Sequence, residues 1–151
     1  METLKIQSVE ANIPQVEAFV EGICTDLNCY NYFGTISVAV LQAVENAIVH
    51  GNKCNPEKSV TIKFSRAKGG VSFTVEDEGK GFDYKSYTDL PTDTEQGTGI
   101  FLMNVLSDNC QFSNKGRCVK MLFKIQGIDA GYSMERANTL TSIFQKATVK
   151  I

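Results

Sequence analysis

Three polar residues, Gln42, Glu45 and Asn46, interrupt an otherwise apolar segment between Val38 and Ile48. Their i, i+3 and i+4 spacing places them on one face of a helix. The carbonyl oxygen of Asn46 is a ligand of the kind that Mg²⁺ prefers, and a carboxylate such as that of Glu45 can orient an attacking group. The same three residues could simply meet solvent. The spacing alone therefore leaves a metal site and a solvated helix face open.

A second polar group, Asp77-Glu78-Gly79-Lys80-Gly81, directly follows a segment with the alternation of a strand. A carboxylate at a strand end can accept a hydrogen bond from an exocyclic amine, and glycines let the backbone approach a flat ring without a Cβ collision. Asp77, Gly79 and Gly81 are therefore candidates for binding such a ring. A plain turn is the alternative, because the motif is short.

A third group, Gly97-Thr98-Gly99-Ile100, precedes a helical pattern that runs to about Leu106. Backbone amides at the start of a helix can hold phosphate oxygens, because they lack partners within the helix. We expect these four residues to contribute to a phosphate site. A single Gly-x-Gly is weak evidence by itself.

The elements that must position these groups follow from the hydrophobic pattern. A capping residue, an early proline and a capping-box partner, Asn12, Pro14 and Gln15, predict the start of the first helix. The segment order is strand, two helices, two strands, one helix and two strands. This order predicts an α+β fold, a two-layer sandwich with a mixed β-sheet and helices on one face. The predicted strands are 2–8, 59–64, 71–75, 110–113 and 117–125, and the predicted helices end near 27, 50 and 106.

Two segments stand apart from this pattern. Residues 83–96 are acidic and rich in threonine, and a loop of that length is usually a functional lid or disordered. Residues 132–151 can form an amphipathic helix, which would suit either a dimer contact or intramolecular packing. We therefore expect a domain over 1–126 and a carboxy-terminal extension over 127–151.

Composition limits the class of protein. The chain has 151 residues, 42% apolar and 21% charged, without a long uncharged apolar run or a signal-like amino terminus. We therefore expect a soluble, cytoplasmic protein that does not enter a membrane. Fifteen basic and seventeen acidic residues give a net charge of −2, which disfavours direct contact with nucleic acid.

The five cysteines are odd in number and contain no C-x-x-C pair. This pattern favours reduced thiols over a zinc site or a disulfide framework. Cys110 and Cys118 flank a predicted hairpin and could face each other across it, so a pairing between them stays open.

The three polar groups, taken in order, resemble the N, G1 and G2 boxes of the GHKL ATPase superfamily. The matching residues are Asn46 to Asn52, then Asp77, Gly79 and Gly81, then Gly97, Gly99 and Leu102. The resemblance covers residues 35–125 and is strongest to anti-sigma-factor serine/threonine kinases of the RsbW type. It implies ATP between helices and sheet, with Asp77 on the adenine amino group and Asn46 on Mg²⁺. It also implies that residues 83–96 form an ATP lid that Gly97 and Gly99 hold against the phosphates.

The resemblance also implies partners, namely a sigma factor, a small STAS-like antagonist protein, or both, with a homodimer as a further possibility. A sensor histidine kinase is not expected, because the only histidine is His50, inside the N box itself. Topoisomerase, mismatch-repair and chaperone ATPases are not expected either, because about 26 residues follow Ile125 and those proteins carry a transducer domain.

Two residues depart from the family pattern. The family has a glutamate as general base four residues before the metal-binding asparagine, and this chain has Gln42 there. Loss of a general base costs on the order of 10² to 10⁴ in rate, although Glu45 on the same face is a possible substitute. Near the last hairpin the family often has Gly-Thr, and this chain has Gly116-Arg117. Two hypotheses remain, a weak serine/threonine kinase and a nucleotide-binding module that sequesters its partner.

Overall fold

The computed structural model describes residues 2–86 and 94–128. Within these ranges the chain forms five strands and three α-helices, joined by short 3₁₀ turns and by one π turn at Ala47–Gly51. The strands are β1 (Glu2–Gln7), β2 (Ser59–Ala67), β3 (Gly70–Glu76), β4 (Asn109–Ser113) and β5 (Cys118–Lys124), and the helices are α1 (Ile13–Asp26), α2 (Phe33–Asn46) and α3 (Glu95–Leu106).

The five strands form one sheet in the order β1-β2-β3-β5-β4. The expected α+β class is confirmed, but the sheet is not mixed within the described residues, because all four pairings are antiparallel. The reason lies in the last hairpin. β3 and β4 run in the same direction, as a helical crossover through α3 favours, but β5 returns between them and pairs with both.

One face of the sheet is apolar because strand residues point alternately to the two faces. The register brings the apolar residues of neighbouring strands together, as in the rows Ile62, Val75, Val119 and Phe64, Phe73, Met121. All six are at most 7% exposed. The opposite face is polar and carries the Lys63–Glu76 ion pair and a hydrogen bond between Ser65 and Ser72. The helices therefore cover a single face, as expected for two layers.

The central helix α2 packs against α1, α3 and β3. The stretch Tyr30–Gly51 is long and apolar enough to cross a membrane by composition. Its residues Ile36, Val40, Val44 and Ile48 are instead completely buried in the core of the domain. This is the pattern of a core helix, for which tertiary packing supplies most of the stability.

The helix starts differ from the predicted ones. Asn12 precedes α1, but its side chain makes no capping bond and instead donates to the Gln7 carbonyl, while Gln15 donates to Asn12 Oδ1. The predicted capping box is therefore wrong. Helix α3 begins at Glu95, two residues before Gly97, because the Thr94 hydroxyl caps it by accepting from the Gly97 amide at 3.0 Å.

The possible pairing of Cys110 with Cys118 is wrong. Cys110 lies opposite Met121 and Cys118 lies opposite Ser113, so the two thiols are on different faces of the hairpin. All five cysteines are free. The helix predicted over 132–151 and the central part of the predicted lid, 87–93, lie outside the described residues.

Candidate functional site

The end of α2 is the first part of the site. The helix changes from α to π geometry after Asn46, and the amide of Asn52 donates to the Ala47 carbonyl at 2.8 Å, five residues back. Single π turns inside helices are frequent at functional sites. The wider turn contains His50 and Asn52, which flank Gly51. It places Asn52 beside Ser59, the first residue of β2.

Asn52 locks this turn to the rest of the fold. Its side chain is 1% exposed, and Nδ2 donates to Ser8 Oγ at 2.7 Å and to the Ser59 carbonyl at 3.0 Å. Its Oδ1 accepts from the Glu78 amide at 2.8 Å. The buried side-chain amide of Asn52 thus joins the end of β1 and the start of β2 to the loop after β3. Its nitrogen and its oxygen both have hydrogen-bond partners.

Asp77 lies directly against the π turn. The Gly79 amide donates to Asp77 Oδ1 at 2.8 Å. A Cβ atom at Gly51 would come within 2.5 Å of the Asp77 carboxyl carbon, and a Cβ at Gly79 would collide with the Gly51 carbonyl oxygen. Two glycines are therefore required here by close approach, because a larger residue at either position would displace the carboxylate.

The charge of Asp77 is under opposing influences. Burial raises the pKa of this carboxyl from its ordinary value of 3.8, whereas the hydrogen bond from Gly79 and the cations Arg117 and Lys58 act to lower it. Burial is the larger effect. A partly buried carboxylate with one oxygen held by the backbone is a site for an uncharged donor such as an amine.

The loop that contains Gly81 forms one wall of the site. Gly81 has a positive φ of 86°, and the next residue, Phe82, donates its amide to the Lys115 carbonyl at 2.9 Å. The Phe82 ring packs edge-on against Phe112 with ring centroids 5.4 Å apart. The wall opposite α2 is therefore aromatic, which suits a flat apolar ring.

The start of α3 forms the third side of the site. Its first turn uses the amides of Gly97 and Thr98 for bonds to Thr94, so the predicted phosphate donors are engaged within the helix in this structure. Gly99 packs against the side-chain amides of Gln42 and Asn46, where an added Cβ would lie 3.0 Å from Gln42 Oε1. Ile100 is 2% exposed and belongs to the hydrophobic core. The four residues thus differ in position: Gly99 packs against α2, Ile100 lies in the core and Thr98 is exposed.

The polar residues of α2 do not all reach the cleft. A cleft of about 430 Å³, measured to open solvent, lies between α2, the sheet and the start of α3. Asn46, Asp77 and Gly81 line it, whereas Gln42 and Glu45 do not. Further lining residues are Ala43, Ala47, His50, Gly51, Val75, Phe82, Gln96, Met103, Phe112, Gly116, Arg117 and Val119. The cleft has apolar walls and a few polar groups, a combination that small-molecule sites share.

One side chain on the α2 side of this cleft, that of Asn46, could bind a hard cation through its oxygen. Asn46 Nδ2 is buried without a hydrogen-bond partner. Burying an amide nitrogen without a hydrogen-bond partner costs free energy. Rotation of the Asn46 side-chain amide would present its oxygen to the cleft instead. Asn46 is therefore the residue that could hold Mg²⁺ from this side.

Comparison with known proteins identifies the fold and family. The family model described as "Histidine kinase-like ATPase domain" matches residues 7–123. The chain belongs to this family. The ATPase domain is 33% identical over 124 residues to the anti-sigma F factor of Clostridium perfringens (strain SM101 / Type A), covering 78% of this chain and 81% of that protein. It is 25% identical over 150 residues to the serine-protein kinase RsbW of Bacillus velezensis, covering 90% and 94% of the two chains.

A solved structure shows the same fold. The histidine kinase domain from Erythrobacter litoralis EL346 blue-light activated histidine kinase superposes with a TM-score of 0.52 at 16% identity. The match covers 80% of this ATPase domain and 63% of that chain. The expected GHKL resemblance is thereby confirmed.

Two residues that organise the site had no role assigned in the sequence reasoning. Asn52 appeared there only as the last residue of the N-box match. Thr94 lay inside the acidic, threonine-rich segment and carried the ordinary signal of a helix cap, a threonine three residues before the glycine whose amide it accepts. The low helix propensity of Gly97 and Gly99 led to a predicted helix start at Gly97 rather than directly after Thr94.

Proposed function

We propose that this protein is an ATP-binding regulator of the anti-sigma type, which binds a sigma factor and a small antagonist protein in the cytoplasm. The observation that carries the proposal is the convergence of Asp77 and Asn46 on one cleft, from the sheet side and the helix side respectively. The similarity to an anti-sigma F factor and to RsbW kinases supports the regulatory role.

The residues of the cleft have separate tasks in this proposal. Asp77 accepts a hydrogen bond from the adenine amino group, and Phe82 and Phe112 provide the apolar wall beside the ring. Asn46 holds Mg²⁺, which when bound neutralises charge on the phosphates. Gly97 and Gly99 at the start of α3 let the phosphate end approach closely, and Thr98 is the polar residue between them.

The nucleotide site is tested by melting curves of the full chain with and without Mg-ATP. Ligand at about 100 times its dissociation constant stabilises a protein by roughly 2.7 kcal/mol, so the wild-type melting temperature rises. Asp77→Asn should lose most of this rise, because the carboxylate that accepts from the amine is gone. Glu17→Gln, an exposed change on α1, serves as the control and should keep the full rise. An equal rise for Asp77→Asn and wild type would exclude this adenine contact.

The catalytic step is the second half of the proposal. Phosphorylation of a serine on the antagonist would add about two negative charges and thereby weaken the complex. Gln42 stands near Gly99 at the position of the family's base, and its amide cannot take a proton. We therefore propose that transfer by the wild type is slow and depends on Glu45, the only carboxylate among the three polar α2 residues.

The catalytic proposal is tested with radiolabelled ATP and candidate antagonist proteins. Gln42→Glu should transfer phosphate at least about a hundredfold faster than wild type, at the low end of the range for general-base catalysis. Glu45→Gln should abolish the residual wild-type transfer while leaving ATP binding unchanged. If Gln42→Glu binds ATP as wild type does and is no faster, the missing-base argument fails. The protein would then be a sequestering module in which nucleotide only sets the binding conformation.

A further inference from the structure

Arg117 lies directly across the sheet from Asp77. The register of β3 and β5 pairs Val75 with Val119 and Glu76 with Cys118, and the Asp77 amide continues this ladder by donating to the Arg117 carbonyl at 2.9 Å. Directly opposed residues on antiparallel strands have Cβ atoms about 4.5–5.5 Å apart. Asp77 and Arg117 both line the cleft, together with the buried pair Val75 and Val119.

The guanidinium of Arg117 is oriented by the turn before β5. Nε donates to the Asn114 carbonyl at 3.0 Å, and Nη2 donates to Asn114 Oδ1 at 3.1 Å. A guanidinium has five N–H donors, so these two bonds leave three for other acceptors. The guanidinium forms no ion pair with the Asp77 carboxylate within 4.0 Å, although both side chains line the same cleft.

The cleft therefore presents a carboxylate acceptor beside a cationic donor. The edge of adenine offers the complementary order, an exocyclic amine donor beside the N1 acceptor. Guanine offers the opposite order at these two positions, a carbonyl acceptor beside an N–H donor. Guanine would set the half-buried Asp77 carboxylate against a carbonyl and the half-buried Arg117 guanidinium against an N–H, so neither group would be paired.

We propose that Arg117 is a base-reading residue, which donates to adenine N1 while Asp77 accepts from the exocyclic amine. The inference rests on the proposed ATP site and extends it to a residue at which this chain differs from the family pattern. In place of a hydroxyl, Arg117 supplies a charged donor that fixes the base by its edge.

The test uses Arg117→Gln and two triphosphates, ATP and its 1-deaza analogue, in which a carbon replaces N1. Dissociation constants are measured by calorimetry on the full chain, with a ligand-free melting curve for each variant. Arg117→Gln should weaken ATP about tenfold, the size of one hydrogen bond to a charged donor, and leave the 1-deaza analogue within about twofold of its wild-type value. The wild type should itself prefer ATP to the analogue by a similar factor.

The control is Lys115→Gln, which removes an exposed charge of the same sign from the same turn without changing the lining of the cleft. It should leave the ratio of the dissociation constants for ATP and the 1-deaza analogue unchanged. Equal losses of ATP and analogue in Arg117→Gln would assign Arg117 to the phosphates or to the fold and overturn the inference. So would an unchanged ATP affinity. If Arg117→Gln does not fold, Arg117→Lys is used instead. This variant keeps the charge but loses the planar guanidinium, so it should reduce the preference for ATP over the 1-deaza analogue. A wild type that binds neither triphosphate would instead refute the proposed ATP site.

Discussion

Asp77 shows how a binding residue can oppose the stability of its own fold. Burial raises the pKa of its carboxyl, and this effect exceeds the opposing effects of the Gly79 amide and of the cations Arg117 and Lys58. The ionised side chain is therefore less favourable in the ligand-free protein than in water. An amine in the cleft would supply the missing donor, so the same feature that destabilises the empty site favours a ligand.

This argument predicts a pH-dependent gain of stability for Asp77→Asn in the absence of nucleotide. The folded-state pKa lies above the unfolded one, so the folded chain binds the proton more tightly, and stability falls as pH rises between the two values. At pH 7 the penalty is fully present, and Asp77→Asn should melt a few degrees above wild type. The gain should shrink as pH falls through the raised pKa and should disappear below the ordinary range of aspartate.

Scanning calorimetry from pH 7 to pH 3 measures this gain. Glu57→Gln, which removes an exposed carboxylate, serves as the reference variant. A lower melting temperature for Asp77→Asn at pH 7 would show that the carboxylate stabilises the empty fold and would contradict the assigned effect of burial.

At the scale of elements, the π turn and the loop after β3 depend on one buried side chain. Asn52 joins Ser8, Ser59 and Glu78, which are separated from it by up to 44 residues. Asn52→Ala should lower the free energy of unfolding by at least about 2 kcal/mol, because buried donors and acceptors lose their partner. It should also weaken Mg-ATP binding, since Asp77 and Gly79 flank Glu78.

Urea denaturation with and without Mg-ATP measures both effects. Asn55→Ala is the matched control, because Asn55 is near in sequence but its side chain accepts only a local bond from the Glu57 amide. Its loss should be below about 1 kcal/mol, with nucleotide binding unchanged. Equal losses of unfolding free energy in Asn52→Ala and Asn55→Ala would show that the bridge made by Asn52 contributes no more to stability than the local hydrogen bond of Asn55.

Element existence was predictable, and element ends were not. Alternation and helical periodicity gave every described strand and α-helix, because burial of one face dominates those patterns. The start of α3 was placed at Gly97, since two glycines are poor helix formers, whereas Thr94 begins the helix through a hydroxyl bond. The π turn after Asn46 depends on the long-range partners of Asn52, and no local pattern of residues contains that information.

At the scale of the whole molecule, the sequence predicted two layers but not the pairing of the strands. The mixed sheet was the natural expectation for a strand, helix, strand order, and it is wrong because β5 inserts between β3 and β4. Asn46, Asp77 and Gly81 from the first two polar groups do line one cleft, and Gly99 from the third packs against Asn46. Their convergence could not be derived from spacing, because it requires the contact of Gly51 with Asp77 and of Gly99 with Asn46.

The order of the strands also has a consequence for how the protein is made. Chains emerge from the ribosome with the amino terminus first, and β5, which supplies Arg117 and Val119 to the cleft, is the last described strand. A nascent chain that already contains Asn46 and Asp77 still lacks the wall that closes around a ligand. In the proposed site the cleft is therefore complete only when the final hairpin has returned to the centre of the sheet, so nucleotide binding would report on the folding of that hairpin.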